Sequence, residues 1–198
     1  MQWERTPTGL SGGVRFQVSQ GGGQVVANDM ENLGPIVSSD HLATGALPAL
    51  SEIEFGVIML SHAFSRWIVR CMAAAGVPDL SPIDVLVLHN INSRGKPKTL
   101  ADICLVLNIE DTHVVNYALK KLERLKLIKA GKRGKEKLVM ATSAGEEACA
   151  RYAAIREALL VKSVLATEVS DETLSAMAAR IRALSGHYDQ ACRAAASM

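Results

Sequence analysis

The sequence predicts a mainly α-helical fold carrying a small antiparallel β-wing, that is, a winged helix-turn-helix. Three observations predict it. Apolar residues recur at helical spacing through residues 99–125. Two short β-like runs follow around a lysine-rich glycine turn. The chain as a whole is aliphatic rather than aromatic, 48% hydrophobic with only 4% Phe, Trp and Tyr, which suits helix-on-helix packing.

Residues 1–50 have no helical period. Gly12-Gly13, Gly21-Gly22-Gly23 and scattered Ser, Asn and Pro read as an arm, flexible or lying on a partner subunit, although Val14-Arg15-Phe16-Gln17-Val18 alternates like a short strand. Order begins at Ser51, which with Glu54 spells a capping box for a helix to about Ala75, stopped by Gly76-Val77-Pro78. Ser81, Pro82 and Asp84 then supply an N-cap, a first-position proline and a first-turn acid. The helix they open runs through Val85, Leu88 and Ile91 to about Ser93-Arg94-Gly95.

Thr99 caps the next helix, with Leu100, Ile103 and Leu107 on one face. After the polar break Asn108-Ile109-Glu110-Asp111, a further helix places Val115, Ala118, Leu119, Leu122 and Leu125 on its apolar face. Leu127-Ile128-Lys129-Ala130 and Lys137-Leu138-Val139-Met140-Ala141 read as strands around Gly131-Lys132-Arg133-Gly134-Lys135. Ser143 with Glu146 opens a long helix to about Ala166, and Ser170-Asp171-Glu172 opens the last, with Leu174, Met177, Ile181 and Leu184 on one face.

The expected organisation is therefore an arm over residues 1–50 and one domain over residues 51–198. Within the domain, residues 80–142 form the winged lobe, while residues 51–76 and 143–198 supply outer helices. The lobe does not need those helices for its own core, so their apolar stripes are expected to bury against a second copy. Two-fold symmetry would set the two recognition helices one DNA turn apart, about 34–36 Å.

The net charge of +2 is too small to mark a nucleic-acid binder. Its distribution says more. Lys120, Lys121, Arg124, Lys126, Lys129, Lys132, Arg133, Lys135 and Lys137 meet only Glu123 and Glu136 in that stretch. On the recognition helix, Thr112, His113, Asn116, Tyr117, Lys120 and Lys121 oppose the apolar face. Asn can bond adenine bidentately, and lysines suit phosphates. Tyr117 suits a phosphate, a thymine methyl or simple packing at the domain edge. In the wing, Lys132, Arg133 and Lys135 are the candidate phosphate or minor-groove contacts. A merely solvated basic face is the competing reading.

No segment is long and apolar enough to span a bilayer, and Met1-Gln2-Trp3-Glu4 does not open a signal peptide. Cys71, Cys104, Cys149 and Cys192 are widely spaced without a CxxC pair, so free core thiols and a cytoplasmic protein are expected. No arrangement suggests catalysis: there is no HExxH, and Gly21-Gly22-Gly23 precedes no helix start. Neither a metal nor a cofactor is expected.

With this order set out, the chain resembles the MarR family of bacterial transcription regulators over residues 52–191. The resemblance rests on four stretches. They are Leu80-Ser81-Pro82-Ile83-Asp84-Val85-Leu86-Val87-Leu88, Thr99-Leu100-Ala101-Asp102-Ile103, the run at 115–128 ending in Leu122-Glu123-Arg124-Leu125-Lys126-Leu127-Ile128, and Ala141-Thr142-Ser143-Ala144-Gly145. Two departures stand out. The family's wing usually carries Asp-x-Arg, whereas Arg133 lies in Gly-Lys-Arg-Gly-Lys, and Asn116-Tyr117 stand where many members have Thr and Arg. Residues 102–116 are also similar to an LdtR-like branch, tied to cell-wall remodelling and stress tolerance.

The resemblance implies a homodimer that binds double-stranded DNA at a pseudo-palindromic operator and represses, or sometimes activates, transcription. It also implies a cleft for a small anionic aromatic ligand beside the first helix. His62, Arg66, Trp67 and Arg70 share one side of that helix, and His89 sits on the next. Together they suit an aromatic carboxylate, or else a helix face packed at the dimer interface. The alternative function is a winged-helix protein-interaction module whose basic face meets an acidic partner.

Overall fold

The computed structural model describes residues 34–198. The expected strand at Val14-Arg15-Phe16-Gln17-Val18 and the glycine runs around it lie outside the described residues. The described chain falls into two compact units that divide between Leu60 and Ser61, each taken by itself.

In the first unit, a 3-10 turn at Asp40–Leu42 precedes helix α1, Pro48–Ala74, which continues into the second unit. The helix opens earlier than the expected cap at Ser51. Proline is tolerated there because first-turn N–H groups lack helical partners. Ser51 instead donates its hydroxyl to the Leu42 carbonyl at 2.8 Å, and Glu52 accepts from the Ile36 N–H at 3.2 Å. Ile53, Val57, Ile58, Met59 and Leu60 are exposed.

The second unit holds the remaining elements: α2 Pro82–Asn92, α3 Leu100–Leu107, α4 Thr112–Arg124, β1 Ile128–Arg133, β2 Glu136–Ala141, α5 Ser143–Arg156, a π-turn Glu157–Val161, α6 Lys162–Leu165 and α7 Asp171–Ala195. Its core joins Ile68, Cys71 and Met72 of α1 to Val85, Leu88 and Ile91 of α2, Ile103 of α3, Val115, Leu119 and Leu122 of α4, and Cys149 and Tyr152 of α5. Each fully buried aliphatic side chain contributes about 1.5–3 kcal/mol relative to exposure.

Helix starts follow local capping chemistry. Ser81 with Asp84 and Thr99 with Asp102 form complete capping boxes. Asp111 caps α4 by accepting the His113 N–H at 2.9 Å. Ser170 caps α7 by accepting from Thr173. The cap of α5 is Thr142, one residue before the expected Ser143; its Oγ1 accepts the Gly145 N–H at 3.2 Å and donates to the Lys126 carbonyl at 2.7 Å.

Asn108 takes a left-handed conformation (φ 53°) and returns its N–H to Cys104 and Leu105, making the turn between α3 and α4. Leu125 differs from its expected place on the apolar face of α4. The helix ends at Arg124, Lys126 adopts φ 59°, and Leu125 is exposed. Leu127 then donates its N–H to the Leu122 carbonyl at 3.0 Å and turns into the core.

The wing pairs Ile128 with Ala141 through Arg133 with Glu136, so the expected five-residue tip closes to Gly134-Lys135. Positive φ at Gly134 (62°) and not at Lys135 fits a type II′ hairpin turn. Lys98 adds an isolated antiparallel bridge to Val139, with N–H···O distances of 3.0 and 2.9 Å in the two directions. The wing is thereby sewn to the segment just before α3.

Candidate nucleic-acid interface

Helix α4 is sharply two-faced. Val115, Ala118, Leu119 and Leu122 are buried against α2 and α3, which leaves Thr112, His113, Tyr117 and Lys120 exposed and Asn116 half-buried on the other side. Tyr117 stands 74% exposed, so it does not pack at the domain edge. The α4 N-terminus also presents N–H groups and the positive end of the helix dipole, both suited to phosphate.

The wing continues this surface. Lys132, Arg133 and Lys135 are exposed. Arg133 meets Glu136 at 3.3 Å, but with side chains 76% and 59% exposed the pair holds little energy and leaves the guanidinium free to exchange partners. Lys137 of β2 reaches Glu123 of α4 at 3.4 Å and ties the hairpin to the C-terminal end of the helix.

Lys121 departs from its expected role as a phosphate clamp. Its ammonium turns inward, 2.7 Å from the Asp84 carboxylate and 2.6 Å from the Asp79 carbonyl. Asp84 is only 2% exposed and also accepts the Ser81 N–H at 2.7 Å. A groove of about 420 Å³ lies beside the pair, lined by Ser81, Ile83, Asp84, His113, Val114, Tyr117 and Lys121. Asp84, Asp111 and Lys98 were not singled out for these contacts by the sequence. The partners of Asp84 and Lys98 lie far along the chain, whereas an Asp directly before a helical run is itself a readable cap signal.

The five residues expected to line a ligand cleft are divided. His62, Arg66 and Arg70 are exposed on α1, whereas Trp67 and His89 are turned toward Tyr152 of α5. The His89 and Tyr152 rings meet edge-to-face with centroids 4.4 Å apart, and the Trp67 side chain interacts with that of Tyr152. His89 Nε2 is buried and has no hydrogen-bond partner among the described residues. Burial holds this imidazole below its usual range and, with Cys71 close by, raises the Tyr152 phenol.

Cys71, Cys104 and Cys149 are buried free thiols, as core residues would be, while Cys192 is exposed. Burial pushes the Cys71 thiol up and Cys149 to about 11, which disfavours the nucleophilic thiolate. Among the described residues no helix is long and apolar enough to cross a membrane.

Residues 80–145 match the winged helix DNA-binding domain family. No curated protein matches the chain. Among solved structures, NMB1585, a MarR family regulator from Neisseria meningitidis, is 18% identical, with a TM-score of 0.59 over 72% of this chain and 95% of its own. Staphylococcus aureus MarR, solved with salicylate and kanamycin, is also 18% identical, with a TM-score of 0.57 over 72% of this chain and 94% of its own. CouR from Rhodococcus jostii, bound to p-coumaroyl-CoA, is 14% identical, with a TM-score of 0.53 over 67% of this chain and 91% of its own. Residues 80–145 are thus similar to winged helix DNA-binding domains. Over about 72% of the chain the fold is similar to that of the MarR family regulator NMB1585.

Proposed function

We propose that this chain is a DNA-binding transcription regulator that reads a pseudo-palindromic operator as a homodimer. One observation carries the reading. A helix with a buried apolar face presents Thr112, His113, Asn116, Tyr117 and Lys120 outward, beside a hairpin whose tip carries Lys132, Arg133 and Lys135. Helix side chains of this kind read base edges in the major groove, while the cationic tip neutralises phosphate alongside.

The dimer is supported by the apolar side chains left exposed in each unit: Ile53, Val57 and Ile58 of α1, and Leu174, Met177 and Ile181 of α7. A second copy is the occupant that also gives an operator its two-fold symmetry. Regulation by a small aromatic acid is part of the same proposal. Arg66 and Arg70 supply exposed guanidinium groups, and Trp67 of the same helix with His89 and Tyr152 of α2 and α5 supplies aromatic side chains. The salicylate of the S. aureus neighbour is a ligand of that chemistry, and the p-coumaroyl-CoA of the R. jostii neighbour is an aromatic acyl thioester. Repression relieved by such a ligand follows if it favours a dimer with wrongly spaced recognition helices.

The test is a fluorescence-anisotropy titration against a duplex selected from a random pool and against its scrambled counterpart, over a range of salt. Regulator function requires at least about a thousandfold preference for the selected duplex. Equal, weak and salt-steep binding to both would leave only non-specific attraction. Absence of duplex binding would shift the basic face to an acidic protein partner.

A further inference from the structure

We infer that Lys121 is a positioning residue for DNA recognition: its ion pair with Asp84 fixes the rotation of the recognition helix on α2 and so decides which side chains face the groove. This role rests on the DNA-binding reading above and refines it. Of the cations on α4, Lys120 and Arg124 point to solvent, while the Lys121 side chain is only 21% exposed and bridges to α2. Its two acceptors lie at one place, the start of α2. The Asp84 carboxylate is 2.7 Å away and the Asp79 carbonyl 2.6 Å.

The geometry does what the apolar packing cannot. Val115, Ala118, Leu119 and Leu122 hold α4 against the core, but burial is non-directional and tolerates small rotations and slides. A charge-assisted hydrogen bond has a fixed length and direction. Asp84 is itself immobilised, because the same Oδ2 accepts the Ser81 N–H in the capping box of α2. Asp79 is held in a left-handed turn at φ 65°, so its carbonyl is a fixed acceptor rather than a floppy one. One carboxylate thus both starts α2 and anchors α4. Tyr117 lies one helical turn before Lys121, and Asn116 and Lys120 flank that row, so a rotation released at Lys121 re-aims each of them.

The competing role, a direct phosphate contact, makes a different prediction, because each phosphate contact contributes about 0.9 to the salt slope on B-DNA. The experiment measures affinity against salt for wild type, Lys121→Met, Asp84→Asn and the double variant, on the selected and scrambled duplexes. The positioning role predicts that each single variant loses roughly tenfold in preference for the selected duplex, a loss on the scale of one base contact. The salt slope stays within half of one contact's share of wild type. The double variant is no worse than the weaker single variant, since both substitutions break one link. Lys121→Arg, which keeps the charge and a donor, recovers part of the preference.

Two results overturn the role while sparing the DNA-binding reading. One is a slope reduced by about one contact in Lys121→Met with Asp84→Asn unaffected. The other is an equal loss on both duplexes that merely tracks lowered thermal stability. Wild type without duplex affinity overturns the functional reading, and this role with it. Should Asp84→Asn fail to fold, the Lys121→Met and Lys121→Arg pair decides alone by slope and preference.

Discussion

Gly145 and Leu127 touch backbone to backbone, at the point where the chain leaves the wing. A Cβ built on Gly145 would fall inside the van der Waals envelope of the Leu127 carbonyl oxygen, and also 3.1 Å from its carbon and 3.5 Å from Leu88 Cδ1. That same carbonyl accepts the Thr142 N–H at 3.0 Å, so it cannot swing away without losing a bond. The Thr-x-x-Gly stretch thus has a physical reason: Thr142 caps α5, and Gly145 lets the helix start lie flat on the Leu127 peptide, just before β1. Gly145→Ala should therefore cost about 2–3 kcal/mol, read as a lower urea midpoint with an unchanged m-value. A variant as stable as wild type would mean that the helix start can shift freely.

Stability should fall on mild acidification, and His89 is the cause. Burial keeps its folded-state pKa below the ordinary 6.5, and its ring meets that of Tyr152. Above about pH 6.5 the imidazole is neutral folded and unfolded, and contributes nothing to the pH dependence. As pH drops through that value the unfolded chain binds a proton that the folded chain refuses. Stability therefore declines until the depressed folded-state pKa is reached. Urea unfolding between about pH 7.5 and about pH 5 checks this, with His89→Phe expected to flatten the decline.

Assembly gives a third test. Met177 and Ile181 stand 53% and 48% exposed on α7 and tolerate replacement within one chain. In the proposed dimer, Met177→Asp or Ile181→Asp buries an unpaired charge, which is costly. Either variant should sediment as a folded monomer at micromolar concentration and bind duplex DNA far more weakly. A dimer of undiminished strength would move the interface elsewhere.

The wing should supply affinity without specificity. Arg133→Ala with Lys135→Ala removes two tip cations, of which Arg133 pairs with the exposed Glu136. Binding to selected and scrambled duplexes should weaken alike, and the salt slope should flatten by about one unit per lost phosphate contact. Unchanged affinity would take the wing out of the interface.

The parts of this chain that announce themselves are local. Ser81-Pro82-Ile83-Asp84 and Thr99-Leu100-Ala101-Asp102 state their caps within four residues, and the period of α4 states its buried face. Features set by distant partners are silent. Lys121 looks like any surface lysine until the fold brings Asp84 to it, and Lys98 gives no strand signal before it meets Val139. The end of α4 is hidden for another reason: Lys126 takes the left-handed position that glycine usually marks, so Leu125 seems to continue the apolar stripe. His89 sits at helical spacing with polar neighbours, and nothing local shows that Tyr152 will close over it.

Specificity should reside one turn into the recognition helix. Asn116 is half-buried in the middle of α4, one turn after Thr112 and one turn before the exposed Lys120. The N-terminal turns of such a helix reach deepest into the groove, and an amide can bond adenine at two atoms, whereas a lysine further along stays near the backbone. Asn116→Ala should lower affinity for the selected duplex by about 1–3 kcal/mol and leave the scrambled duplex nearly untouched. Lys120→Ala should weaken both by similar factors and flatten the salt slope. Both variants are titrated against both duplexes at one fixed salt concentration, since affinities at different salt cannot be compared. Equal losses on the two duplexes for Asn116→Ala would show that this side chain does not read sequence and that the helix enters the groove on a different face.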